Sequence, residues 1–358
     1  MHSIFKHSSV VFVLFVCAFT ALSQASQPTS PLSNRELVSL VYQLPQHPER
    51  RDEVVEEIRK RGIAFQLTDG MRSLVASKSG NDVLLRRTLE EAERRRINPA
   101  ASARPAAAEA NDLLERTRAA TLGAAQAMPD FIVKQLIKRS VAFGTTNNWL
   151  PHDNLTIAVG YRANAGEQYK VLARNGMPLG QDVTEGSSYS KYVGGASSSG
   201  VEYISALADL FKPATRTEFK VADTDLVRGR RTLVYEYEVK TPILTLSADS
   251  ASVSAGSRGR IWIDREANRV LRFEQVATDI PGDFQIKAAT TVIDYDWVTI
   301  GENKYLLPMI SDLRMTSIVK QMTLQSRNEI RFRGYQKFGA ELKVIDEIDE
   351  KDFPPEKP

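Results

Sequence analysis

Histidine is the side chain best suited to proton transfer near neutral pH, and this chain has four. His2 and His7 precede an apolar run, so His47 and His152 are the two placed to act in a folded body. His152-Asp153 has the order of a half-triad, in which a carboxylate orients an imidazole for general-base work. It follows Leu150-Pro151 in a turn-like stretch, and His47, in Leu44-Pro45-Gln46-His47-Pro48, belongs to a different part of the chain. Asp294 and Asp296 stand two apart, on one face of a strand. Two carboxylates fall short of the six to eight or so oxygens that calcium takes. Gly194-Gly195 with Ser197-Ser198-Ser199-Gly200 looks like an anion-cradling loop, but it lacks the lysine and the strand–loop–helix setting of one. The sequence has no G-x-S-x-G elbow and no H-E-x-x-H helix. Asn154-Leu155-Thr156 matches the glycosylation triplet, a common chance match. The reading is of a non-enzymatic protein with no catalytic residues, no metal site and no cofactor.

The only cysteine, Cys17, lies inside the apolar run Val10 to Leu22. That run, behind the weakly basic Lys6, and the small residues of Ser23-Gln24-Ala25 read as a signal peptide over 1–25, cut after Ala25. The run is short for an uncleaved anchor, because a hydrocarbon core of ~30 Å needs about 20 residues. Lipidation at Cys17 is disfavoured by the bulky Val16 before it. The expected location is periplasmic or secreted. The processed chain would carry no thiol, which removes disulfides and thiolate chemistry together. A net charge of +3, spread along the chain, gives no basic face for nucleic acid.

The elements follow from periodicity. Residues 32–96 form a small helical module. It opens with the capping-box spacing Ser33-Asn34-Arg35-Glu36, and Leu37, Leu40, Val41 and Leu44 share one face. It continues through Pro48, Gly62 and Thr68-Asp69-Gly70, and ends in Arg94-Arg95-Arg96, cations where a helix dipole favours them. The module is read as a packing or protein-contact unit, with a membrane-surface role for its arginines as the alternative. Residues 97–105 are a small-residue linker with Pro99 and Pro105. A domain over 106–345 starts with a helix near Ala106 to Ala127, and strands of period two follow. Asn175-Gly176 suits a tight hairpin, residues 186–200 read as a mobile loop, and Val201 to Phe211 reads as a helix. The tail 346–358 is charged, proline-ended and read as disordered.

The clearest hairpin is residues 258–276. Ile261 and Ile263 alternate with Arg260, Trp262 and Asp264, and Leu271 and Phe273 alternate with Arg272 and Glu274 beyond the turn. Such strands imply one apolar and one wetted face. The fold class is therefore mainly β with helices (α+β): a large antiparallel sheet plus a small N-terminal all-α module.

Trp262-Ile263-Asp264-Arg265-Glu266 with Arg269-Val270-Leu271-Arg272 resembles a strand, Asp-initiated turn and strand of the LolA/LolB-like periplasmic lipoprotein-carrier superfamily. Leu113 to Arg118 before Met128-Pro129-Asp130-Phe131 adds to the resemblance, which spans roughly residues 106–340. It implies that the sheet is curved into an unclosed barrel with helices across its mouth, and a role in binding a lipid, an acyl chain or a lipidated partner in the cell envelope, as in lipoprotein transport. The family's functional arginine has no matching position here, and the helical module lies outside the family pattern. The same superfamily includes periplasmic sensors of envelope stress that bind a protein partner. That is the alternative function, with the helical module as the contact.

The residues expected to wall an apolar cavity are Tyr235, Tyr237, Leu271, Phe273, Tyr295 and Trp297, each alternating with polar neighbours. An acyl chain buried there gains ~0.8 kcal/mol per methylene without covalent chemistry. The same alternation also fits an ordinary filled core.

Overall fold

The computed structural model describes residues 30–100, 102–144, 146, 148–163, 165–179, 203–248 and 251–337. The signal peptide expected over 1–25 with Cys17, the glycine-serine stretch 186–200 and the tail 346–358 lie outside the described residues.

Four helices come first: α1 (Asn34–Gln43), α2 (Arg51–Arg61), α3 (Asp69–Lys78) and α4 (Val83–Ile97). Local chemistry sets their ends. Ser33 Oγ accepts from Glu36 N while the Glu36 carboxylate accepts from Ser33 N at 2.8 Å, the reciprocal capping box expected. Thr68 and Asp82 cap α3 and α4 from one side only, their side-chain oxygens accepting from Met71 N and Leu85 N. Gly62 ends α2 at φ +69°, which a Cβ would oppose.

Helix α5 (Ala107–Gln126) leads into β1 (Phe131–Phe143), β2 (Leu150–Arg162), β3 (Gly166–Arg174) and β4 (Met177–Pro178). Asn175 and Gly176, both at positive φ, make the tight β3–β4 turn. After α6 (Ile204–Phe211) come β5 (Glu218–Val227), β6 (Arg230–Ala248), β7 (Ala251–Asp264), β8 (Arg269–Thr278), β9 (Ile286–Ile300), β10 (Asn303–Val319) and β11 (Met322–Lys337).

All eleven strands form one antiparallel sheet, ordered β4-β3-β2-β1-β11-β10-β9-β8-β7-β6-β5. The first and last long strands, β1 and β11, pair in its middle, so among the described residues β4 and β5 are the sheet's edges and do not pair with each other. The segment between those edges carries α6. Tyr203, at the start of α6, packs on Phe131 and Phe332, while Phe211 at its end stacks on Phe219 of β5 at 5.4 Å. From β1 to β5 is seven strand steps, about 34 Å across a flat sheet at ~4.8 Å per step. An eight-residue helix is about 12 Å long. One short helix reaches both groups because the sheet is strongly curved, with α6 and α5 inside the curve.

The inner face carries the apolar rows: Leu233, Tyr235, Ile261, Ile263, Phe273 and Ile293 are all buried. The Tyr235 hydroxyl donates to the Ala110 carbonyl of α5 at 2.7 Å. The opposite face departs from the expected wetted surface. Arg260, Trp262, Arg272 and Glu274 are buried there, beneath α2 and α4. The first four helices thus share one apolar cluster with α5, α6 and strands β5 to β9. Ser102, between α4 and α5, is buried against the sheet as well, its carbonyl 3.1 Å from Thr224 Oγ1. Among the described residues no helix is long and apolar enough to cross a membrane.

Candidate functional site

Register puts the charged side chains of the outer face into cross-strand rows. One row runs Trp262, Arg272, Asp294, Ile310 and Arg331, from β7 to β11; the next runs Arg260, Glu274, Val292, Asp312 and Glu329. A third holds Arg258, Val276, Thr290, Arg314 and Arg327. Cβ atoms directly opposite in such rows lie about 4.5–5.5 Å apart.

Over β5 to β7 these rows are sealed by α2 and α4 through buried ion pairs. Asp225 is the hub. Its carboxylate accepts from Arg87 Nε at 3.0 Å, Arg94 Nη2 at 2.8 Å, Trp262 Nε1 at 2.9 Å and the adjacent Leu226 N at 2.7 Å. Asp223 accepts from Arg95 and lies 3.5 Å from Arg59 Nε, which is itself buried. Burial raises the pKa of Asp223 despite those arginines, and burial together with the nearby Arg260 charge lowers that of Arg59. Glu91 of α4 accepts from Thr224 Oγ1 at 2.6 Å. Arg94 and Arg95, read from sequence as cations favoured by the helix dipole, turn onto sheet carboxylates.

Toward β8 to β11 the helices and the sheet part, leaving a cleft of about 840 Å3. Its roof is Arg51 with Asp82, Val83, Leu84, Arg86 and Arg87 at the start of α4 and Arg94 in its last turn. One end is the β5–β6 turn at Arg228-Gly229, where both residues have positive φ. Its floor combines Trp262, Val292 and Ile310 with Arg272, Arg314, Arg327 and Arg331. Nine arginines line the cleft against five carboxylates: Asp82, Glu274, Asp294, Asp312 and Glu329.

The carboxylates are held by neighbours. Arg272 grips Asp294 through two 2.6 Å bonds, and Arg51 reaches Glu274 at 3.3 Å. Arg327 binds Asp312 at 2.7 Å, whereas Arg314 stands 3.2 and 3.4 Å from the same group. Burial pushes the pKa of Asp294 up, but Arg272 outweighs it, with help from the charges of Arg228 and Arg87, and the carboxyl ends below the usual range. Asp312 is likewise lowered, burial being outweighed by Arg314 and Arg327. Among the described residues no cluster of three or more side chains is arranged to hold a metal ion.

Of the candidate wall, proton-transfer and metal-binding residues singled out from sequence, Asp294 lines the cleft and the others fall elsewhere. Tyr235, Tyr237, Leu271, Phe273 and Tyr295 come together in the core shared with the helices. The Phe211, Phe219, Tyr237 and Phe273 rings form a continuous series, with centroid separations of 5.4, 6.3 and 5.9 Å. Trp297 stands apart, 42% exposed near the end of β9. None of the six lines the cleft. Asp153 is buried between Arg139, at 2.5 and 2.6 Å, and Arg174, at 2.8 Å, while His152 beside it is exposed. Asp294 and Asp296 pair with Arg272 and Arg228. Sequence reasoning missed the cleft residues. Their signal was the period-two charges Arg272-x-Glu274, Asp312-x-Arg314 and Arg327-x-Glu329-x-Arg331, which read as a solvated face.

No protein-family model and no curated protein matches the chain. Solved structures similar to it include a LolA superfamily protein from Nitrosomonas europaea, at 9% identity and TM-score 0.30, covering 67% of this chain and 98% of that one. A DUF1329 family protein from Desulfovibrio piger is similar at 11% identity and TM-score 0.30, covering 64% and 95%. MucB in complex with MucA, from Pseudomonas aeruginosa, gives 8% identity and TM-score 0.18 over 61% and 94%. The fold class stands on the strand order itself.

Proposed function

We propose that the chain is an exported, non-enzymatic protein of the cell envelope that binds a lipid, an acyl chain or a lipidated partner. The observation that carries this reading is the cleft between α4 and the outer face of β8 to β11. Its volume lies within the ~300–1,000 Å3 usual for ligand pockets. Val83, Leu84, Val227, Trp262, Val292 and Ile310 give it apolar walls, and its arginines give it a polar margin. A molecule with an apolar body and a polar end matches that division. Binding needs no bond to be made or broken, so burial of methylenes supplies the affinity. On the inner face, a chain would reach Tyr235, Tyr237, Leu271, Phe273 and Tyr295 only by displacing α5 or α6.

The test is mass spectrometry of organic-extractable material that stays with the purified protein, followed by rebinding of that material to the delipidated protein. Trp262, on the cleft floor, should report rebinding as a change in emission. A protein that retains no lipid and binds none, but co-purifies with one protein at fixed stoichiometry, would replace this reading with that of an envelope sensor.

A further inference from the structure

We propose that the module carrying α2 and α4 is a lever pivoted where the later turns of α4 meet β5, and that the cleft opens and closes at the other end; this rests on the reading of the cleft as the lipid site. Helix α4 has 15 residues, about 22 Å of length, and its two ends are held differently. Arg87, Glu91, Arg94 and Arg95 recur at three- and four-residue spacing and so share a face. All four bond to β5. Arg87 reaches Asp225 at 3.0 Å and Arg94 reaches it at 2.8 Å, Arg95 pairs with Asp223, and Glu91 accepts from Thr224 Oγ1 at 2.6 Å. Asp225 also accepts from Trp262 Nε1 at 2.9 Å, so the pivot joins the roof of the cleft to its floor.

At the start of α4, Val83 and Leu84 line the cleft, and the tie from here to the floor runs through α2. Asp82 caps α4 with Oδ1, 2.8 Å from Leu85 N, while its Oδ2 stands 3.8 Å from Arg51 Nη1. Arg51 in turn donates to Glu274 at 3.3 Å. The neighbouring ties of α2 to the sheet are long as well. Arg260 is 3.4 Å from Glu56 and 3.8 Å from Asp52, and Arg258 is 3.8 Å from Asp52. Arg59, farther along α2, meets Glu236 at 3.2 Å. Charge-assisted bonds are strongest near about 2.7–2.9 Å; the pivot contacts fall near that length and those of α2 exceed it. Among the described residues Arg59 Nε, Arg260 Nε and Asp52 Oδ1 are buried with no hydrogen-bond partner. Buried polar groups are normally satisfied, so α2 has a poorly bonded seat beside a well-bonded pivot. A molecule in the cleft touches roof and floor together. It binds the closed arrangement better and shifts the module toward it.

Two measurements on the purified protein test this, with a twelve-carbon lysophosphatidylcholine as the probe: hydrogen exchange, and stopped-flow tryptophan emission. The probe should slow exchange over residues 79–86 and leave 91–97 unchanged. Arg51→Gln should speed exchange over 79–86 by roughly fivefold or more, the scale of one lost charge-assisted bond, again with 91–97 unchanged. It should also raise the association and dissociation rates of the probe together, as a gate does, with Kd moving less than either. Glu274→Gln breaks the same tie from the floor and should reproduce both effects, so it serves if Arg51→Gln folds poorly. Faster dissociation alone, with exchange unaltered, would make Arg51 a ligand contact under a fixed roof; it would overturn the lever and leave the lipid reading standing. Exchange that rises equally over 79–86 and 91–97 would overturn the lever too, because no pivot would then remain. An exchange response to Arg51→Gln confined to 79–86, in a protein that binds no probe, would support the lever and overturn the lipid reading.

Discussion

Replacing Asp225 by alanine tests whether the helical module is seated on the sheet through that buried carboxylate. Asp225 is 4% exposed, and it takes four hydrogen bonds, two from guanidiniums, one from an indole and one from a backbone amide. Alanine would leave Arg87, 5% exposed, facing Leu226 O without its carboxylate, and would strand the Trp262 N–H. Breaking a buried ion pair from one side costs about 3–5 kcal/mol, and a buried donor left without an acceptor costs about 1–3 kcal/mol. These overlap, because both describe one desolvated pocket, so the expected loss is about 3–5 kcal/mol rather than the total. At about 2 °C per kcal/mol, suited to a chain above 250 residues, the melting temperature should fall by roughly 6–10 °C. Urea unfolding, followed by far-ultraviolet dichroism and by tryptophan emission, measures it. Coincident transitions would show that residues 32–96 unfold with the sheet, and separated ones would mark 97–105 as a boundary between folding units. A variant within about 1 kcal/mol of the parent would refute the reasoning, because α4 could not then be docked through Asp225.

Three other outcomes are expected. Gly259→Ala should destabilise by at least about 1–3 kcal/mol in urea, since a Cβ there would stand 1.9 Å from the Glu274 carbonyl oxygen and 2.9 Å from the Tyr237 hydroxyl; a neutral effect would show that β7 and β8 are not so closely apposed. Asp153, Asp294 and Asp312 have folded pKa values below the ordinary one, so their pairs stabilise fully above the unfolded aspartate pKa and lose that contribution as pH falls through the folded values. Stability should therefore drop below about pH 4, offset in part by Asp223, whose raised pKa favours the folded state as it protonates; a flat profile from about pH 6 to 3 would contradict these pairings. Leu271→Asp should cost several kcal/mol by forcing a carboxylate into a core position 1% exposed, and a variant that melts like the parent but loses lipid-probe binding would show instead that the inner face receives ligand.

Much of the architecture is legible in the sequence alone, because it depends on residues close together along the chain. Period-two alternation in Leu233, Tyr235, Tyr237 and in Ile261, Ile263 marks strands and names their apolar side. Ser33 with Glu36, Gly62 and Asn175-Gly176 mark ends and turns, since caps and positive φ are satisfied within a few residues. Other features require strands and helices to meet across more than a hundred residues. Arg272-x-Glu274 and Arg327-x-Glu329-x-Arg331 look like a solvated face in sequence. They become cleft and seal because β1 pairs with β11, which curves the sheet around α5 and α6 and leaves its outer face for α2 and α4. Arg94 and Arg95 satisfy a helix dipole equally well with or without a partner, so nothing local foretells their pairing with Asp225 and Asp223. The alternation of Tyr235 and Phe273 says only that one face must be buried. Whether helix or ligand does the burying depends on how far the sheet bends, and in this chain α5 and α6 occupy the bend.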